Sequence, residues 1–170
     1  MRQRWGKFRQ LPARDRALLL AALLMLPIVR VSLRLFGFRR LCRILIWTTP
    51  PFRDQVGSNH SAAADLERAR ASALCVSRAA THGLYRANCL DQSVALWWLL
   101  RLQGVVTEIR IGVRRSDQFE AHAWVEFNSV VVNDREDVSN VFESFARSVI
   151  DIPGQPNLPL THRASQGDPT

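Results

Sequence analysis

The chain has 170 residues, enough for one domain with a real core or for a small domain plus an appendage. With 47% apolar and 22% charged residues its composition is that of a globular protein, so disorder is not the default reading. The net charge of +8 is unevenly held: residues 1–43 carry ten Arg and Lys7 against Asp15 alone, whereas residues 44–170 carry twelve Arg against fourteen acids and form a mildly acidic remainder.

Residues 1–16 are basic and expected to be loose. The apolar run 17–29 is thirteen residues long, broken only by Pro27 and flanked by Arg14, Arg16, Arg30 and Arg34. That is short of the roughly 20 residues a bilayer crossing needs. A basic stretch before an apolar run also suits a signal peptide, but no small-x-small cleavage site follows. Three readings stay open for it: a helix packed on the domain, a helix lying on a membrane surface, or a signal or anchor. A helix over 17–26 is expected to end or kink at Pro27. Residues 29–46 suit an amphipathic helix interrupted near Gly37. Thr48-Thr49-Pro50-Pro51 is a break and 51–61 a linker, so the chain divides into a basic helical extension (1–50), a core (51–150) and, over the Pro-rich end, a flexible tail (151–170).

Within the core, the spacing of Leu66, Ala69, Ala73, Val76 and Ala80 predicts a helix over 62–81, ended by His82-Gly83. A second helix is predicted over 88–102, with Asn88 able to cap it, Asp91 in its first turn and Gly104 closing it. The period then changes to two. Strands are predicted at 106–113, 121–127 and 130–133, the last two joined by a hairpin at Asn128-Ser129. Helices followed by an antiparallel meander make an α+β plan. Trp97-Trp98 reads as packing rather than a substrate platform, and Arg114-Arg115-Ser116-Asp117 as a solvated loop.

Three residues stand out chemically. Cys42, Cys75 and Cys89 are an odd, widely spaced set without the short spacing of a zinc knuckle or a redox dithiol, which suits a reducing compartment and a free thiol. Cys89 falls at the first helical position after a cap, where the helix's partial positive charge favours a thiolate and free N–H groups can receive a developing oxyanion. His122 lies in the strand-like run EAHAWVEF, and Asp134 ends the next strand twelve residues on. A tight hairpin sets the far ends of its strands side by side, so Asp134 can orient the His122 imidazole, although adjacent Asn133 could take that role.

A Cys at a helix start, then a strand, then His and Asp on a hairpin is the chain order of transglutaminase-like, papain-like cysteine enzymes. Residues 89–134 (CLDQSVALWWLLRLQGVVTEIRIGVRRSDQFEAHAWVEFNSVVVND) resemble the core of the leader peptidases that mature lasso peptides, with a CL…AL…LL…G block, an IGV strand, AHAWVE and a short hairpin ending in Asp. The likeness covers about 20–135, less specifically before 60. The family often has a Trp shortly before the Cys, where this chain has Gly83-Leu84-Tyr85-Arg86, and favours Gly in the hairpin turn.

The resemblance implies Cys89 as nucleophile, His122 as general base and acid, and Asp134 as the group orienting the imidazole, with no metal or cofactor. It implies a peptidase that cuts a precursor peptide between leader and core; the cysteine pattern and the basic helices add the expectation of a cytoplasmic location with a peripheral contact at the inner membrane face. Because some family members carry a fused leader-recognition domain and this sequence has no room for one before its helices, a separate recognition protein is expected. A cyclase of asparagine-synthetase type is a further expected partner. The rival readings are an acyltransferase using the same triad and a non-enzymatic membrane or nucleic-acid adaptor built on the basic segment.

Overall fold

The computed structural model describes residues 12–49, 61–83, 85–115 and 119–144. The expected linker and tail, and most of the basic N-terminal stretch, lie outside these residues.

Helix α1 (Ala13–Phe36) is longer than its sequence pattern suggested and runs through Pro27 instead of ending there. A proline inside a helix costs about 3 kcal/mol through a lost hydrogen bond and a clash. Met25, Leu26 and Val29, on either side of it, are buried, and each such burial returns about 1.5–3 kcal/mol. Packing therefore outweighs the local break. At 24 residues α1 is, by length and composition alone, also able to cross a membrane, so the shortfall inferred from the apolar run does not hold. It ends at Gly37, whose φ of 72° is left-handed backbone that glycine accepts without strain. Helix α2 (Phe38–Thr48) restarts there, as expected. The chain after it is tied down where Arg101 Nε donates to Thr49 Oγ1 at 2.6 Å.

Helix α3 (Ala62–His82) is capped by Ser61, whose Oγ accepts from the Ala64 N–H. Helix α4 (Cys89–Leu102) is the centre of the molecule. Residues 93–97 and 99–101 are buried on all sides, the pattern of a helix enclosed by others. It packs against α1, α3 and the sheet. It stops where the Val105 N–H reaches back to the Leu100 carbonyl around Gly104, at φ 77°.

Four antiparallel strands follow in the order β3-β2-β1-β4: β1 (Glu108–Arg115), β2 (Phe119–Phe127), β3 (Val130–Val131) and β4 (Glu143–Ser144), with a one-turn helix α5 (Val138–Val141) before the last. Asn128 and Ser129 both have positive φ, 47° and 66°, the requirement of a two-residue hairpin that keeps the strands' twist. Strand β3 is shorter than predicted, because beyond Val131 the ladder is continued by the Val132 N–H and then by the Asn133 side chain. Arg114 is strand rather than loop, held by a cross-strand ion pair with Glu120. Ile109, Val125 and Phe127 join the helices in one core with Trp97, Leu96 and Leu100. The plan is α+β, helices against an antiparallel sheet.

Candidate active site

The site begins with the cap of α4. Asn88 Oδ1 accepts from the Asp91 N–H at 2.7 Å, and Asp91 Oδ2 accepts from the Asn88 N–H at 3.3 Å. This reciprocal box leaves Cys89 as the first helical residue, half-buried, with its own N–H among those a helix start cannot satisfy internally. The Asp91 carboxylate is only 3% exposed, and Arg30 of α1 meets it at 2.8 Å, so no uncompensated charge sits in the first turn. The Arg30 guanidinium also lies 4.8 Å over the Tyr85 ring, and the Tyr85 hydroxyl donates to the Leu26 carbonyl at 2.7 Å. Helix α1 thus grips the segment leading into Cys89.

His122 Nε2 lies 2.5 Å from Asp134 Oδ2, both side chains a quarter exposed. The other Asp134 oxygen accepts from the Arg135 N–H at 2.8 Å, which fixes the carboxylate. With Nε2 turned to Asp134, Nδ1 is the ring nitrogen left for a reacting group. The imidazole is stacked at 5.0 Å on Phe142, which precedes β4, and lies 6.3 Å from the Trp124 ring. Trp124 Nε1 donates to Glu126, and Glu126 is paired in turn with Arg110. Gly112 stands directly opposite His122 on β1. A Cβ there would come within 2.9 Å of both Phe142 Cβ and the Trp124 ring, so only glycine admits this stacking.

One buried node brings the three segments together. Ser93 is fully buried within α4, four residues after Cys89 and on the same side of the helix. Its Oγ donates to the carbonyl of Ala123, the neighbour of His122, at 3.0 Å. It also accepts from Nδ2 of Asn133, the neighbour of Asp134, at 3.2 Å, and Asn133 Oδ1 accepts from the Val125 N–H at 2.7 Å. Each candidate residue is therefore one step or one helical turn from a shared hydrogen-bond junction. Asn133 is occupied in that junction, and Asp134 is the side chain that meets His122.

The other thiols are unlike Cys89. Burial pushes the Cys42 thiol up to about 12. Cys75 is also raised, mainly by burial and further by Asp15. Both are buried, as inert core thiols are.

Sequence reading missed Ser93, Arg30, Gly112 and Phe142. A lone serine in an apolar helix and an arginine within an apolar run were visible signals for the first two. Phe142 and Gly112 had none, since their role lies in an approach across strands. In the comparison with known families, the profile of the transglutaminase-like superfamily matches residues 32–147, a stretch that contains Cys89, His122 and Asp134. No curated protein and no solved structure matches the chain. That match spans well over half of the 170 residues and agrees with the helix-then-antiparallel-sheet order, so the chain belongs to the transglutaminase-like superfamily, whose chemistry is of the cysteine-protease or acyltransferase type.

Proposed function

We propose that this protein is a papain-like cysteine peptidase that removes the leader from a ribosomally made lasso-peptide precursor, with Cys89 as nucleophile, His122 as general base and acid, and Asp134 as the positioning carboxylate. The observation that carries the chemistry is the His122–Asp134 pair, joined through the Ser93 junction to a helix that starts at Cys89. The substrate class rests on the resemblance of residues 89–134 to the leader peptidases.

In the first half-reaction His122 Nδ1 takes the Cys89 thiol proton, and the sulfur bonds to the scissile carbonyl carbon. The resulting oxyanion lies near the Cys89 N–H. As the C–N bond breaks, the imidazolium gives its proton to the departing amine, leaving a thioester. Water, deprotonated by His122, then attacks the thioester, and Cys89 regains its proton. Asp134 keeps the ring in the tautomer this exchange needs. The leader reaches the site on a separate recognition protein, and a cyclase of asparagine-synthetase type uses the freed amino end.

The test is mass spectrometry of a precursor peptide after incubation with the protein and its recognition partner. Cys89→Ala should abolish cleavage, whereas Cys42→Ala and Cys75→Ala retain most of it. Iodoacetamide should modify Cys89 first. Persistent cleavage by Cys89→Ala would sink the assignment. A leader that ends in an amide when a primary amine is supplied, and stays uncut in water, would instead identify an acyltransferase.

A further inference from the structure

Helix α1 has two apolar faces, and the core uses one. Leu20, Leu24, Ile28, Val31 and Leu35 are 52, 68, 53, 56 and 70% exposed. At 3.6 residues per turn they fall within about 80° of the helix circumference and run for roughly 22 Å. Leu18, Ala22, Met25, Leu26 and Val29, on the opposite side, are the buried ones. The outer stripe continues onto α2, because Ile28, Phe36 and Ile44 together line a cavity of about 290 Å³ between the two helices. Trp47, three residues beyond Ile44 on α2, is 89% exposed. Of the exposed large apolar side chains among the described residues, most lie on these two helices, which marks a surface rather than scattered single residues.

The charge carried by these two helices from Arg16 onward has one sign. From Arg16 to Thr49 the chain holds six arginines and no Asp or Glu. Arg30 is committed to Asp91, while Arg34, Arg39, Arg40 and Arg43 are exposed. We propose that the outer face of α1 and α2 is a peripheral docking surface for a bilayer that contains anionic lipid. A protein interface has a polar rim around a core depleted of charged residues. An apolar stripe on two helices whose charged residues from Arg16 to Thr49 are all arginines, with an open Trp within a turn of Arg43, matches the boundary between headgroups and acyl chains. The helix lies on the bilayer and does not cross it. Its inner face supplies core side chains and the Arg30–Asp91 pair, which a crossing would strip away. This surface is independent of the chemistry proposed for Cys89.

The experiment is co-sedimentation of the full-length protein with vesicles of phosphatidylcholine, with and without phosphatidylglycerol, at low and high salt. The anionic vesicles should bind at low salt at least roughly tenfold more tightly than the neutral ones, and less tightly at high salt. Leu24→Gln/Leu35→Gln and Arg39→Gln/Arg40→Gln/Arg43→Gln should each weaken binding by roughly ten- to a hundredfold. Both sets of positions are exposed, so the thermal melts should be unchanged. Absence of binding to anionic vesicles, or binding that neither variant weakens, would overturn the proposal. So would self-association in sedimentation velocity that Leu24→Gln/Leu35→Gln abolishes while vesicle binding is absent, because the face would then serve a protein contact.

Discussion

His122 and its partner carry the sharpest distinction at the scale of single residues. The sequence pointed to Asp134 and left adjacent Asn133 as an alternative, since neighbouring residues at a strand end project in different directions that no local signal reveals. In the fold Asp134 meets His122, and Asn133 closes the Ser93 junction. The two substitutions should separate cleanly. Asp134→Asn keeps a polar group beside the imidazole but removes its charge, so kcat/KM should fall by on the order of ten- to a thousandfold with an unchanged melting temperature. Asn133→Ala leaves the buried Val125 N–H without its acceptor and should lower stability by about 1–3 kcal/mol. Steady-state kinetics beside thermal melts of both variants check this; a larger catalytic loss in Asn133→Ala than in Asp134→Asn, at full stability, would reverse the roles.

Secondary-structure elements divide by where their signals lie. Helices α3 and α4 were legible because the apolar spacing of α3, the Asn88 cap of α4 and the glycines that end both are written within a few residues, whereas the Ser61 cap of α3 emerged only in the structure. Strand β4 was not, because two residues have no period, and their pairing with Gly112 and Val113 is made across the molecule. The start of α4 combines both cases. Its cap is local, but the Arg30 that holds Asp91 comes from sixty-one residues away. Arg30→Met should therefore cost about 1–3 kcal/mol, the loss expected for one partner of a buried pair discounted for the partial exposure of Arg30. Asn88→Ala should cost about 1 kcal/mol as a lost cap. Both should slow Cys89 alkylation by disordering the first turn. Denaturant titration with timed iodoacetamide labelling measures the two effects together, and unchanged labelling in both variants would separate the cap from the thiol.

The whole molecule sets the role of the N-terminal helices. Helix α1 contributes Leu18, Ala22, Met25, Leu26 and Val29 to the same core as α3 and α4. Deleting residues 1–46 should expose that apolar surface and yield aggregated protein. Size-exclusion chromatography of the truncated chain checks it, and a soluble, monomeric product would show that the core closes without α1. The amino-acid sequence by itself determined the α+β order, the capped start of α4 at Cys89 and the candidate set Cys89, His122 and Asp134, because caps, periods and motif spacing are written within a few residues of each other. Only the tertiary structure decided that α1 continues through Pro27, that Asp134 rather than Asn133 faces His122, and that Arg30, Ser93, Gly112 and Phe142 surround the site. Those outcomes depend on burial, which outweighs a local helix break, and on contacts between segments far apart in the chain.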